Sequence, residues 1–273
     1  MIFLTQPGIS VSISQFILGF VLASLISVFS LKMNFLTISG SLGTFFLAFI
    51  IFGFGGWKWT IPILSFFVFS SLLSRLREKK NPSVNNYFEK SGPRDLFQVL
   101  ANGGVGGILV IMNYIIPNFL WYFVYSAIVA SACADTWGTE IGTMRRNKTY
   151  NILKLKPVEQ GSSGGVSFAG FAGSLAGALF ISLISVFWID NNQIDFILLI
   201  TFAGFAAGVF DSFLGASLQI QYICVDCGRI IDKKMHCEKK TARYRGIGIF
   251  NNDFVNLAAG LFGGLIVFSL TGL

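Results

Sequence analysis

Long apolar stretches separated by short polar loops make up most of this chain. Eight of them are near the ~20 residues that an α-helix needs to cross a bilayer's hydrocarbon core. They cover residues 11–31, 35–54, 57–75, 95–116, 119–142, 164–188, 195–219 and 251–271. The pattern predicts an all-α polytopic membrane protein with about eight transmembrane helices. We interpret the first stretch as a retained helix, because neither a preceding basic residue nor a small-residue cleavage site marks it as a signal peptide.

The composition supports the same prediction. Of the 273 residues, 53% are hydrophobic and only 12% are charged, so the apolar surface is too large for one soluble core. We find no internal repeat and no low-complexity tract. We therefore expect a single membrane domain over residues 1–273.

Positive charge alternates from loop to loop. Every Lys and Arg except Lys58 falls after the first, third, fifth or seventh span: Lys32; Arg75 to Arg94, including Lys90; Arg145 to Lys156; and Arg229 to Arg245. Basic loops stay in the cytoplasm, so this alternation predicts that both termini lie outside. The net charge of +7 then belongs to one membrane face, and we expect no nucleic-acid partner. Two long loops on that face, 76–94 and 220–250, are expected to carry function or a small fold of their own.

Polar side chains recur at the cytoplasmic ends of four predicted spans. Arg94, Gln98 and Asn102 follow helical spacing and form one stripe. The other members of this group are Asp135, Glu140, Asp211, Gln219, Asn252, Asp253 and Asn256. Such groups at membrane depth are costly and need partners. One interpretation is that they are interhelical hydrogen-bonding groups near the interface.

The second interpretation is a metal site. Asp135, Glu140, Asp211 and Asp253 would repel one another if brought together, unless they are protonated or bridged by cations. Mg²⁺ held by carboxylates and substrate phosphates would relieve that repulsion. We therefore predict these four residues as the catalytic, Mg²⁺-binding group.

A Gly/Ser loop follows the fifth span and runs into the sixth. It comprises Gly161, Ser162, Ser163, Gly164 and Gly165, and glycine-freed backbone N–H groups at a helix start favour an anion. Lys156 could add a charge. The loop is not a Walker A motif, because no Gly-Lys-Ser/Thr follows. Further on, the glycines from 170 to 177 most simply indicate close helix packing.

Three cysteines and the chain's one histidine lie close together in the last basic loop. Cys224, Cys227, His236 and Cys237 offer a Cys₃His zinc set of structural type. Free or redox-labile thiols are the alternative, since adjacent His and Cys seldom ligate one metal ideally. A cytoplasmic location disfavours disulfides.

Several blocks resemble a known family. They are RDLFQVLANGGV at 94–105, ADTWGTEIG at 134–142, GSSGGVS at 161–167, DSFLGASLQ at 211–219 and NNDFVN at 251–256. The chain thereby resembles the integral membrane family that includes the phytyl-phosphate kinase of the vitamin E pathway and the transmembrane protein nineteen group. The resemblance runs from about residue 94 to 260, and Thr139 departs from the family's usual Ser or Ala.

The resemblance implies phosphoryl transfer from CTP or ATP to a prenyl monophosphate, either phytyl or geranylgeranyl, giving the diphosphate. In this interpretation Arg94, Lys156 and the Gly/Ser loop bind phosphates, while Gln98, Asn102, Gln219, Asn252 and Asn256 orient them. The Phe-rich helix faces would shelter the lipid tail. We expect the site to face the cytoplasm, in a prokaryotic plasma membrane. A CDP-lipid-forming cytidylyltransferase and a membrane transporter are the alternatives.

Overall fold

Seven long α-helices form the body of the protein. A computed structural model describes residues 12–89 and 92–271, so position 11 of the first predicted span and Lys90 lie outside the described residues. The helices are α1 (Ile13–Lys32), α2 (Ile38–Lys80), α3 (Leu96–Ile115), α4 (Phe119–Thr143), α5 (Phe168–Ser185), α6 (Gln193–Ser217) and α7 (Asn252–Leu270). All seven are long and apolar enough to cross a membrane. The predicted all-α membrane fold is therefore confirmed.

Helix α2 contains two of the predicted spans. Its 43 residues would extend about 65 Å if straight, roughly twice the hydrocarbon thickness. Gly56 interrupts it with φ 64° and ψ −157°, a conformation essentially restricted to glycine. A Cβ at Gly103 of α3 would touch both Leu47, before the break, and Ile63, after it. The two limbs of α2 therefore fold back side by side, as separate spans would.

Helix α4 is the centre of the bundle. It packs against α2, α3, α5, α6 and α7, and most of its residues are buried. The hydroxyl of Tyr122 donates to the carbonyl of Ser185 at 2.9 Å, so this buried phenol is hydrogen-bonded, as its position requires. Because other helices surround α4, the polar residues in its last turns face protein rather than lipid.

The glycines of α5 let it approach α4 closely. A Cβ on Gly173 would lie 2.6 Å from the carbonyl oxygen of Trp137, and one on Gly177 would lie 2.7 Å from that of Cys133. Both distances are far inside van der Waals contact. The glycine run from 170 to 177 thus serves the close packing that the sequence predicts.

Side-chain caps determine where the helices begin. The N-cap side chains that accept a backbone N–H are Ser12, Thr37, Asp95, Asn118, Ser167 and Asn251. At α3, Asp95 accepts from the Gln98 N–H at 3.0 Å and donates its own N–H to the Gln98 side chain at 3.0 Å, which is a capping box. Arg94 joins the α1–α2 loop through its backbone, donating to Phe35 at 2.9 Å and accepting from Thr37 at 3.0 Å. The start of the polar stripe on α3 is therefore rigidly placed.

Three basic loops meet over one end of the bundle. The α2–α3 loop holds a 3₁₀ helix, Pro82–Asn86, and a second 3₁₀ turn, Val186–Trp188, follows α5. The α4–α5 loop forms an antiparallel sheet, ordered β2-β1-β3, from β1 (Thr149–Asn151), β2 (Pro157–Val158) and β3 (Gly165–Val166). The α6–α7 loop forms β4 (Gln221–Ile223), β5 (Ile230–Ile231), β6 (Met235–His236), β7 (Lys239–Lys240) and β8 (Ala242–Arg245). Its strands make a sheet ordered β5-β4-β8 and a β6–β7 hairpin.

The loops are joined by hydrogen bonds. The Asp232 N–H donates to the carbonyl of Tyr87 at 3.0 Å, and the Asn81 amide donates to the carbonyl of Thr143 at 2.9 Å. The α6–α7 loop is thus bonded to the α2–α3 loop, which is itself bonded to the end of α4. That these loops share one side agrees with the charge pattern, while their cytoplasmic orientation stays a prediction.

Candidate functional site

A polar cavity of about 240 Å³ lies beneath these loops. It opens where the ends of α2, α3, α4, α6 and α7 meet the Gly/Ser loop. Fourteen of the sixteen residues predicted for catalysis or substrate binding line it: Arg94, Gln98, Asn102, Asp135, Glu140, Gly161, Ser162, Ser163, Gly164, Gly165, Asp211, Gln219, Asn252 and Asn256. Residues spread over more than 160 positions of the chain (94 to 256) therefore form one site.

Asp135 of α4 and Asp211 of α6 form the acidic centre of the cavity. Their carboxyl groups lie within hydrogen-bonding reach of each other. The Asn256 amide, oriented so that both its ends are satisfied, donates to Asp211 Oδ2 at 3.1 Å and to the carbonyl of Asn252 at 3.2 Å. Two carboxylates this close repel unless a proton or a cation lies between them. Their oxygens form the kind of donor set that Mg²⁺ accepts.

Glu140, in contrast, is bound by an arginine and a serine of α2. Arg77 Nε donates to Glu140 Oε2 at 2.7 Å, and Ser74 Oγ donates to Oε1 at 2.7 Å. Arg77 and Glu140 are only 3% and 7% exposed, and the guanidinium also donates to Asn85. Glu140 therefore lies in a buried ion pair, and its role as a metal ligand stays a prediction. The sequence places Arg77 only among the basic residues of the loop after the third span, because no local pattern links it to Glu140, 63 positions later.

Two predicted residues do not line the cavity. Lys156 is exposed in the turn between β1 and β2, where its carbonyl accepts the N–H of Asn151 at 2.9 Å, so the hairpin carries its side chain away from the site. Asp253 is buried in the first turn of α7, one residue beyond Asn252. The predicted roles of Lys156 and Asp253 stay predictions, which their positions outside the cavity lining do not support.

The stripe on α3 separates the polar cavity from an apolar one. Arg94, Gln98 and Asn102 line both, and the second pocket, of about 80 Å³, is otherwise walled mainly by apolar side chains of α1, α2 and α3 such as Ile26, Leu47, Ala48, Ile63 and Phe66. The Arg94 guanidinium lies 5.5 Å from the centroid of the Phe66 ring, a cation–π distance. A polar and an apolar compartment therefore adjoin at one arginine and two amides.

The Gly/Ser loop needs its glycines for close packing. Gly161 (φ +91°) and Gly164 (φ +74°) have left-handed backbones, which glycine adopts at little cost. A Cβ on Gly164 would lie 2.4 Å from the backbone of Ala216, at the end of α6. Only glycine lets this loop lie directly against α6, beside Asp211.

Asp232 is a cavity residue that the sequence interpretation missed. It lies between the cysteine and histidine positions, and its carboxylate accepts from Ser163 Oγ, from Gln219 at 3.1 Å and from Gln221 at 3.5 Å. Burial raises the pKa of Asp232 to about 6, against the hydrogen bonds from Ser163 and Gln221, which lower it. Gln219, predicted to orient substrate, is thus committed to Asp232. The aspartate links the last loop to the Gly/Ser loop.

Arg245 fastens the same loop to the end of α6. It donates to the Gln221 side chain at 2.5 Å and to the backbone carbonyls of Gly215 (3.1 Å) and Ala216. Carbonyls at a helix C-terminus are left without intrahelical donors, so an arginine there is favourable.

The four predicted zinc residues do come together. The ligand atoms of Cys224, Cys227, His236 and Cys237 all lie within 4.8 Å of one another. The Cys227 backbone N–H and then His236 lower the pKa of Cys224 to about 6, whereas burial and the neighbouring thiols raise the pKa of Cys237 to about 11. One thiolate is therefore favoured, and further ionisation needs a cation to offset the repulsion.

Charge in the cavity is unbalanced. Among the residues that the structure describes, its lining holds six carboxylates, from Glu78, Glu89, Asp135, Glu140, Asp211 and Asp232, and two basic side chains, from Arg77 and Arg94. One of those arginines is already paired with Glu140. Cations that entered together with a polyanion would offset this excess of negative charge.

Comparison with known proteins places this chain in a membrane family. The profile described as "Integral membrane protein DUF92" matches residues 21–264. Protein PGR of Arabidopsis thaliana is 27% identical over 269 residues, which cover 90% of this chain and 92% of that protein. Uncharacterized membrane protein MJ0933 of Methanocaldococcus jannaschii is 30% identical over 230 residues, 83% of this chain and 82% of that protein. No solved structure matches significantly.

Proposed function

Because this chain belongs to the integral membrane family DUF92, and residues from its five family-like sequence blocks converge on one cavity, we propose that it is a prenyl-phosphate kinase. It would transfer a phosphoryl group from CTP or ATP to phytyl or geranylgeranyl monophosphate, at the cytoplasmic face of a prokaryotic plasma membrane. The observation that carries the proposal is the pair of adjoining compartments. A phosphate head and an apolar tail need a polar site and an apolar pocket that meet at anion-binding groups.

Arg94, Gln98 and Asn102 supply that junction. A guanidinium binds phosphate oxygens through several N–H groups, and the two amides can donate to the same headgroup. The Asn102 amide donates to the carbonyl of Gln98 at 2.8 Å, which fixes its orientation at the boundary. A prenyl chain bound past these residues would lie among aliphatic and aromatic side chains within the bundle, where its transfer from water is favourable.

The acidic centre supports a role for Mg²⁺. Asp135 and Asp211 would hold the metal, with Asn256 orienting Asp211; Glu140 is engaged by Arg77, and Asp253 lies outside the cavity lining. When bound, Mg²⁺ neutralises phosphate charge in phosphoryl transfer. This donor set also explains how a cavity with six carboxylates could receive two phosphate-bearing substrates.

The chemistry requires little from protein acids and bases. A phosphate monoester with a second pKa of about 6 is already ionised at neutral pH. One of its oxygens forms a bond to the terminal phosphorus of the nucleotide, and the bond from that phosphorus to its bridging oxygen breaks, releasing the nucleoside diphosphate. No proton must be removed from the acceptor. Arg94, the amides and the Gly/Ser loop would act by positioning the two anions.

The test is a direct assay of the purified full chain in detergent or lipid. With Mg²⁺, CTP or ATP and geranylgeranyl or phytyl phosphate, we expect prenyl diphosphate and nucleoside diphosphate in equal amounts. Asp135→Asn should reduce turnover at least ~100-fold, the scale of losing a major electrostatic group. Asp195→Asn is the matched control, since Asp195 is exposed in the first turn of α6, at the far end from Asp211. No turnover of either substrate with any triphosphate would refute the proposal.

The same assay separates the alternatives. A cytidylyltransferase would release pyrophosphate instead of nucleoside diphosphate. A transporter needs a polar path to the opposite face, but Asn113, the main candidate there, is buried and accepts the Asn118 N–H at 3.3 Å in the α3–α4 turn. Its side chain is therefore used in folding that turn. Flux into proteoliposomes without nucleotide would favour transport.

A further inference from the structure

The loop between α6 and α7 contains a second possible metal centre, separate from the acidic cavity. Cys224, Cys227, His236 and Cys237 bring three sulfurs and an imidazole nitrogen within 4.8 Å of one another. Zn²⁺ bound tetrahedrally at about 2.3 Å would hold its sulfurs roughly 3.8 Å apart. The four groups therefore need to move by less than about 1 Å to enclose the ion.

The backbone around each half of the set is shaped for ligation. In the first half, the Gly228 N–H donates to the carbonyl of Cys224 at 3.0 Å, and the Cys224 N–H donates to the carbonyl of Arg229 at 2.9 Å. Gly228 has φ +69°, which a tight turn of this kind demands. The turn presents both sulfurs to the same side.

The second half of the set lies at a tight hairpin turn. Cys237 (φ 49°) and Glu238 (φ 62°) are the two turn residues between β6 and β7, and a two-residue hairpin turn of the common type has left-handed backbone at both positions. This turn places the Cys237 sulfur 3.2 Å from His236 Nδ1, which is itself 3.5 Å from Cys227 Sγ. The hairpin therefore holds the second ligand pair beside the first.

We propose that Zn²⁺ bound by these four residues holds the Gly/Ser loop in place. The two ligand pairs flank Asp232, which follows β5 and accepts a hydrogen bond from Ser163. Joining the pairs through a metal fixes the segment from 227 to 236 at both ends. Asp232 is thereby kept against Ser163, so zinc acts as a positioning element outside the acidic cavity.

Metal content of the full chain tests the first half of the proposal. Protein purified from zinc-replete cells should hold about one zinc per chain by mass spectrometry, and cobalt substitution should give the absorption bands of a tetrahedral thiolate complex. Cys227→Ser and Cys237→Ser should each lose the zinc. Cys133→Ser is the matched control, because Cys133 is buried in α4, far from the set. Zinc-free wild type that also fails to take up added zinc, or zinc retained in both loop variants, would overturn the site.

Hydrogen exchange tests the second half, on wild type with and without a zinc chelator, so that no variant has to fold. Removing zinc should speed amide exchange over residues 161–165 roughly tenfold. Asp232→Ala should produce the same change while the zinc stays bound. If the loop exchanges at the same rate with and without zinc, the positioning role is wrong. Neither measurement uses nucleotide or prenyl phosphate, so the result is independent of the proposed kinase activity.

Discussion

The buried pair between Arg77 and Glu140 allows the sharpest test of the site's organisation. The two side chains meet at 2.7 Å, and Ser74 donates to the second carboxylate oxygen at 2.7 Å. Replacing one member by a neutral residue leaves the other charge buried without its partner. Replacing both, in Arg77→Met with Glu140→Gln, removes the two charges together.

The expected magnitudes follow from this burial. Breaking a buried pair by removing one partner costs about 3–5 kcal/mol, since the remaining charge is left uncompensated. Arg77→Met should lie at the upper end. Glu140→Gln should cost less, because Glu78 Oε1 lies 4.0 Å from the Arg77 guanidinium and can take up part of its charge. The double variant should recover more than half of the larger single loss.

The assay is the apparent thermal midpoint of the detergent-purified chain, followed by loss of the monodisperse peak. At about 2 °C per kcal/mol for a chain of this size, Arg77→Met should lower the midpoint by roughly 8–10 °C. Lys79→Gln is the control, because Lys79 is exposed two residues away on the same helix and its replacement should change the midpoint by about 1 °C or less. Additive losses in the double variant would refute the coupling. A Glu140→Gln protein of normal stability but weakened Mg²⁺ dependence would instead favour Glu140 as a metal ligand.

Three further outcomes follow from the geometry. Gly164→Ala should destabilise the protein by about 1–3 kcal/mol and impair turnover, because the new Cβ is strained at positive φ and overpacks the loop. Gly248→Ala is the control: nothing lies within 4 Å of a Cβ there, so stability and turnover should not change. Burial raises the pKa of Asp232 from 3.8 to about 6. As pH rises from below 4 to above 6, the free energy of unfolding of wild type should therefore fall by on the order of 3 kcal/mol relative to that of Asp232→Asn. Equal pH profiles of stability for the two proteins would exclude this. Ala48→Phe should raise KM for phytyl phosphate about tenfold but leave KM for a short-chain prenyl phosphate unchanged. Leu42→Phe, on the exposed face of α2, should change KM for neither substrate. Equal effects of Ala48→Phe on both chain lengths would disprove tail binding in the apolar pocket.

Much of the site could be anticipated from the sequence because its signals are local. Gln98 and Asn102 share a face of α3 by spacing alone, with Arg94 just before the Asp95 N-cap, and a carboxylate in an apolar stretch is conspicuous wherever it lies. The Cys₃His set was found for the same reason, since its members fall within fourteen residues. The position of Lys156 could not be anticipated, because a place in a loop does not reveal side-chain direction; Lys156 is exposed between β1 and β2, outside the cavity lining.

The sequence by itself determined the membrane class, the polar ends of the helices and the side shared by the basic loops, because hydrophobic length and charge are properties of segments. Tertiary structure decided which polar side chains meet. Arg77 pairs with Glu140, 63 positions later in the chain, and Ser163 donates a hydrogen bond to Asp232, 69 positions later. It also showed that α2 reverses at Gly56 and that an apolar pocket adjoins the acidic cavity at Arg94. Such facts depend on how distant helices pack. Charges interact strongly only when they lie within a few ångströms of each other, and the sequence alone does not give that distance.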